Sequence, residues 1–134
     1  MNQYRWVSIF ILILSTNVYS YQSKVEIVEQ FDDLKMVAFI SKEYINNSPE
    51  WIPGKTALPL TVADAIKAVN DFNKDENKVD VISEIEIRKI PKHKKHWHYL
   101  IKVANKAMKL KYNIYVVLMS GKVVPAMIQP QSYK

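Results

Sequence analysis

The sequence predicts an α+β domain in which one main helix packs on a three- to five-stranded antiparallel meander sheet. Three observations support this class. Apolar residues recur at helical spacing after Thr61, and apolar and polar residues alternate over Trp97–Val103 and over Leu110–Met119. A short Ser120-Gly121 turn then leads into a further strand. With 134 residues, the chain is long enough for one domain.

Residues 1–20 have the composition of a secretory signal peptide. Arg5 precedes the apolar run Val7–Leu14, and Val18-Tyr19-Ser20 then places small residues at the two positions that a signal peptidase reads, so we expect cleavage after Ser20. The apolar run is shorter than the roughly 20 residues of a membrane span, although an uncleaved N-terminal anchor is the alternative. The absence of cysteine excludes a disulfide framework and favours a bacterial compartment. We therefore predict a periplasmic or secreted protein with no membrane span after signal removal.

Residues 21–57 are predicted to be an N-terminal strand and loop lead-in, with residues 21–33 loosely held. The segment Leu34–Tyr44 could form a strand or a short helix, and its Val, Phe and Ile content favours the strand. Residues 46–55 are rich in Asn, Pro and Gly and predict turns. Trp51, within that polar loop, is expected to anchor the loop on the core.

Residues 58–128 are predicted to hold the helix and the sheet. Thr61 is placed to cap the helix, followed by one apolar stripe. That stripe consists of Val62, Ala65, Ile66, Val69 and Phe72. A strand over Lys78–Ile90 breaks parity at Ile82 and Ile90, which predicts a bulge or an end twist. Pro125 places the last strand at a sheet edge, and residues 129–134 are a polar tail.

The strand Leu110–Met119 is apolar on both faces, which predicts that it is central and covered twice. The helix covers one face. The segment Leu34–Trp51, a partner protein or a homodimer contact covers the other. The candidate interaction surface on this strand consists of Tyr115, Val117 and Met119.

Two strand motifs carry a resemblance to a known family. W-x-Y-x-I-x-V begins at Trp97, and Y-x-I-x-V-x-L-x-S-G-K-V-V begins at Tyr112, both after a capped helix. Over Trp51–Pro125 this order resembles PepSY-type domains of bacterial secreted proteins, and a cystatin-like topology is a close alternative. The resemblance implies a helix wrapped by a small antiparallel sheet, and an extracytoplasmic binding or peptidase-regulating role rather than an enzyme.

Charge is divided unevenly along the chain. All 13 acidic residues precede Arg88, whereas 11 of the 19 Lys and Arg residues lie from Arg88 onward. Because soluble surfaces usually mix both signs, the second half predicts an anion-binding face. The candidate residues are Arg88, Lys89, Lys92, Lys94, Lys95, Lys102, Lys109, Lys111 and Trp97. Alternatively, Glu84 and Glu86 on the neighbouring strand neutralise this face.

The expected partner of the basic face is an acidic protein or an anionic envelope component. Lysines beside aromatic rings also suit nucleic acid, but secretion argues against that partner. The sequence thus predicts a secreted or periplasmic, non-enzymatic binding or inhibitory module. No enzyme is expected, because the chain has no Cys, no serine in a nucleophile motif and only two Gly residues, too few for a phosphate-cradling loop. No cofactor is expected. A small hydrolase is the weakest alternative.

The run K-H-K-K-H-W-H contains His93, His96 and His98, which could ligate Zn, Cu or Ni. The alternative function is therefore a His-based transition-metal-binding periplasmic protein. However, no acidic residue follows Arg88 to support the ligands, and the neighbouring lysines repel cations. A solvated polar strand face is the preferred interpretation of this run.

Overall fold

The computed structural model of the chain describes residues 24–31, 34–74, 81–104 and 112–129. Its elements are β1 (Lys24–Phe31), β2 (Leu34–Ser41), α1 (Lys42–Asn46), α2 (Val62–Phe72), β3 (Ile82–Lys89), β4 (Trp97–Ala104), β5 (Tyr112–Leu118), β6 (Val123–Pro125) and β7 (Met127–Ile128). The predicted signal peptide and almost all of the predicted polar tail lie outside the described residues.

The strands form two antiparallel sheets rather than the single meander that we expected. The N-terminal sheet has the order β1-β2-β7, and the central sheet has the order β3-β4-β5-β6. The two sheets share one continuous segment, because β6 pairs with β5 while β7 pairs with β2. Between them the Ala126 N–H donates to the Ile114 carbonyl at 2.9 Å. The α+β class with antiparallel strands is confirmed.

The central sheet carries an apolar cluster on each face. The first cluster lies between the sheets and includes Ile27, Met36, Ala38, Ile40, Ile45, Leu100, Ile114, Val116 and Leu118. The second lies beneath α2 and includes Ala65, Val69, Tyr99, Ile101, Val103, Tyr115, Val117 and Met119. Both faces of β5 are therefore covered, as predicted, and the segment Leu34–Trp51 contributes β2 and α1 to that cover.

Helix α2 begins where the sequence predicted. The Thr61 hydroxyl accepts a hydrogen bond from the Asp64 N–H at 3.1 Å, which satisfies one otherwise unpaired donor of the first turn. The predicted stripe is only partly correct, since Val62 and Phe72 are 42% and 52% exposed. A helix laid on a twisted sheet contacts it best near its middle, and there Ala65 and Val69 are buried.

The first N-terminal element differs from expectation, and the second is mainly the strand that its composition predicts. The predicted loose lead-in contains β1, which pairs with β2 along all eight residues. The segment Leu34–Tyr44 is a strand that passes directly into α1, and the Ser41 hydroxyl caps this short helix. The predicted bulge near Ile82 is confirmed between Ile82 and Glu84, and Pro125 ends the edge strand β6.

A charge network joins the two sheets. Glu29 of β1 accepts hydrogen bonds from Arg88 Nη1 at 2.7 Å and from Lys102 Nζ at 3.1 Å. Lys102 also lies 3.2 Å from Glu84, and Arg88 lies 2.5 Å from Glu86. Burial acts to raise the pKa of Glu29, but the hydrogen bonds and charges of both cations outweigh it and hold the pKa below its usual value. The carboxylate therefore stays ionised between two layers of the fold.

Replacing Glu29 by Ala should lower the free energy of unfolding by about 3 kcal/mol, because it leaves the mostly buried Lys102 ammonium and the Arg88 guanidinium without their shared partner. Urea denaturation at pH 7 measures this loss. In the native chain the pKa of Glu29 is depressed, so its contribution is fully present above about pH 4.5 and is lost as the pH falls through the folded value.

Glu84→Ala is the matched control, since the Glu84 side chain is 46% exposed and contacts the same lysine. We expect this variant to lose clearly less stability than Glu29→Ala, because an exposed ion pair is screened by solvent. If both variants lost the same free energy of unfolding, Glu29 would contribute no more than an exposed carboxylate, and its contacts would not stabilise the packing of the two sheets.

A candidate basic and aromatic binding surface

The connection between β3 and β4, residues 90–96, has a backbone held by its own hydrogen bonds. We call it the basic turn. The Ile90 N–H donates to the His96 carbonyl at 2.9 Å, and within that closure the His93 N–H donates to the Ile90 carbonyl at 3.1 Å. Lys92 has a φ of 64°, which is uncommon for a residue other than glycine. The lysines of the turn therefore extend from fixed backbone positions.

Trp51 attaches a second loop to the basic turn. Its N–H donates to the Lys95 carbonyl at 2.9 Å, and its ring meets the edge of the Trp97 ring with centroids 5.2 Å apart. The Trp51 Nε1–H donates to the Thr56 carbonyl at 3.1 Å, which fixes the ring within its loop. Trp51 was predicted only as an anchor. Its place in a polar loop gave no indication of which residues it would join.

Lys89 contacts this aromatic pair, and the backbone of the basic turn adjoins it. Lys89 Nζ lies 5.2 Å from the centre of the Trp97 ring, within the range of a cation–π contact. Lys92, Lys94 and Lys95 are exposed, and no ion pair with another described residue involves them. We define the basic–aromatic surface as Lys89, Lys92, Lys94, Lys95, Trp51 and Trp97.

Arg88 and Lys102, two other predicted anion-binding residues, do not belong to this surface. Side chains alternate along a strand, so Arg88 faces away from Lys89 and toward the N-terminal sheet, where Glu29 holds both cations. Both cations are thus paired within the chain, as the alternative of internal neutralisation expects. Lys109 and Lys111 lie outside the described residues.

The three histidines do not meet. The rings of His93 and His96 lie 5.9 Å apart, but His98 is only 1% exposed on β4 and its Nδ1–H donates to the Tyr99 carbonyl at 3.1 Å. His96 precedes the strand, so strand alternation does not place it beside His98. Within the described residues no group of three His, Asp or Glu side chains could hold a metal ion.

The titration of the histidines reports their surroundings. Partial burial lowers the pKa of His93, and the nearby positive charge of His96 and Lys42 lowers it further. Burial also lowers the pKa of His98, with Arg88 acting in the same direction against the Tyr99 hydrogen bond. The pKa of His93 is thus lowered mainly by burial, and the neighbouring positive charges add to the effect.

Tyr115, Val117 and Met119 are not an interaction surface. Their exposed fractions are 6%, 0% and 2%, because α2 packs over this face of β5. The Phe72 ring also meets the edge of the Tyr115 ring, with centroids 6.1 Å apart. The helix thus takes the place that we had assigned to a partner.

Comparison of the chain with protein-family models, with curated proteins and with solved structures found no match. The resemblance to PepSY-type domains, and the cystatin-like alternative, therefore stay predictions from the motifs. Among the described residues, no helix is long and apolar enough to cross a membrane.

Acidification should destabilise the fold through His98. Its folded pKa lies below the ordinary 6.5, so the unfolded chain binds the proton more readily and stability falls as the pH drops below about 6.5. His98→Leu should flatten the decrease in unfolding free energy between about pH 7.5 and about pH 5.5, as measured by urea denaturation. An unchanged slope in His98→Leu would assign the effect to other groups.

Proposed function

We propose that this protein is a secreted or periplasmic, non-enzymatic binding or inhibitory module that holds an acidic partner on its basic–aromatic surface. One observation carries the proposal: exposed lysines without an acidic partner among the described residues extend from a fixed turn beside the Trp51–Trp97 pair. The compartment rests on the predicted signal peptide.

The geometry suits recognition of carboxylates. Lys92, Lys94 and Lys95 leave one short turn whose backbone is already ordered, so binding does not have to order that backbone. Ammonium groups gathered at one end of the domain attract an acidic surface and accelerate its association. Binding rather than catalysis is proposed because this surface offers fixed charges and ring faces.

An acidic polypeptide fits this surface better than a lipid bilayer. The two tryptophans pack against each other and each is only partly exposed, so neither projects as an anchor would into a membrane interface. Tryptophan rings are instead common anchors in the centres of protein interfaces, with polar and charged groups at the rim around them.

Reversing the charge of the turn tests the proposal. The triple variant Lys92→Glu/Lys94→Glu/Lys95→Glu should bind poly-L-glutamate at least about tenfold more weakly than the wild type, because it replaces attraction with repulsion. Binding is followed by tryptophan fluorescence, and the wild-type affinity should fall as salt rises from about 50 to about 200 mM.

The matched control is Lys24→Glu/Lys35→Glu/Lys67→Glu, which changes the net charge equally at exposed lysines elsewhere. It should leave the affinity within about twofold of the wild type if the turn is the site. Equal weakening in both triple variants would reduce the effect to net charge and reject the site. Binding to anionic phospholipid vesicles without binding to poly-L-glutamate would replace the polypeptide by a membrane.

A further inference from the structure

Strand β3 is an outer strand of the central sheet, and its second edge is open among the described residues. It has eight residues without Pro or Gly, and it pairs on one side only, with β4. Long outer strands expose backbone donors and acceptors that can pair with another chain. Of the other outer strands, β6 has three residues and ends in Pro125, β7 has two, and only β1 is as long as β3.

The hydrogen bonds to β4 show which backbone groups of β3 point outward. At one end of the ladder the Ile90 N–H donates to the His96 carbonyl, and at the other the Ala104 N–H donates to the Val81 carbonyl. Hydrogen-bonded pairs alternate along an antiparallel ladder. Counting from Ile90, the backbone groups of Arg88 and Glu86 point toward β4, whereas those of Ile85, Ile87 and Lys89 point away from it.

We propose that two copies of this chain pair through β3, antiparallel, about a twofold axis at Ile87. Ile87 then exchanges backbone hydrogen bonds with Ile87 of the second copy, and Ile85 does so with Lys89. This arrangement joins two four-stranded central sheets into one continuous sheet. The inference is independent of the proposed function.

Charge selects this register over its neighbours. With the axis at Ile87, Glu86 lies opposite Arg88 of the second copy, and the pair occurs twice because of the symmetry. Moving the axis to Glu86 would still place Glu84 opposite Arg88, but it would add a Glu86–Glu86 contact at the axis, and moving it to Arg88 would place Arg88 opposite Arg88. Both shifts keep the backbone hydrogen bonds possible but oppose like charges, which is unfavourable.

The side chains concerned are accessible. Ile87 is 37% exposed, and the side chains of Arg88 and Glu86 are 33% and 37% exposed although they already contact each other. The planar guanidinium has five N–H donors, so Arg88 can add a carboxylate to those it holds.

Strand β1, the other long outer strand, lacks this self-complementarity. Its one cation, Lys24, opposes Glu26 of a second copy only where the two strands overlap at their N-terminal ends. Opposite charges therefore do not favour a long β1–β1 pairing, and β3 is the strand whose own sequence specifies a register.

A single cysteine at the axis provides a direct test, because the chain has no native cysteine. A hydrogen-bonded antiparallel pair has Cα atoms about 5.5 Å apart, within disulfide range. The full sequence, including residues 1–20, is expressed, and the experiment uses the form of the protein that is recovered, whether or not the N-terminal segment has been removed. Ile87→Cys should form a covalent dimer under mild oxidation, whereas Val81→Cys, which is exposed on the same edge but outside the paired residues, should not.

Sedimentation of Ile87 variants tests the edge without a cross-link. Ile87→Pro removes an outward N–H that β4 does not use, and Ile87→Lys places like charges at the axis. Both should weaken the dimer at least about tenfold, while Val81→Lys keeps the wild-type affinity. Circular dichroism identifies any variant that fails to fold, and Ile87→Lys decides the matter if the proline variant unfolds. A wild-type chain that is monomeric at about 0.1 mM, or a dimer that Ile87→Lys leaves intact, overturns the proposal.

Discussion

Both faces of strand β5 are apolar and must be shielded from water, and the other layers of the fold supply that cover. Val116 and Val117 are neighbours in sequence, point to opposite faces and are both 0% exposed. One covering layer cannot serve both faces of a strand. An eleven-residue helix is marginal in isolation, as is a two-stranded hairpin. Helix α2 and the β1–β2 hairpin are therefore stable here because each buries its apolar side against one face of the central sheet.

The buried charges fix how the N-terminal sheet lies on that face. Arg88 and Lys102 point from the central sheet toward β1, where Glu29 holds both. A shift of β1 by one residue against β2 would turn Glu29 to the outer face and leave both cations without it. Ion pairs of this kind contribute little net stability over an apolar contact, but a misplaced partner is costly. The network thus selects the register rather than strengthening the core.

Most of the central sheet could be predicted from the sequence, because alternation, turn residues and caps are local signals. They gave β4, β5, the bulge at Ile82 and the start of α2. Strand β1 was missed because Glu29 points inward. A charged residue there looks solvent-exposed in the sequence, and its two cations lie 59 and 73 residues away. The candidate site was predicted only in part for the same reason. The sequence does not show that Glu29 of the distant strand β1 pairs with Arg88 and Lys102, which distinguishes these two cations from the lysines of the basic turn.

Whether a cation is available to a partner thus depends on whether its side chain lies on a covered strand face or on the basic turn. A lysine on a covered strand face has to be neutralised within the chain, as Lys102 is. A lysine on the basic turn has no covering layer to neutralise it, so the excess positive charge collects at that end of the central sheet. Antiparallel pairing of two copies through β3 would place their basic turns at opposite ends of the joined sheet. Only an acidic partner long enough to reach both turns, or one that is itself repeated, would then gain avidity from the dimer.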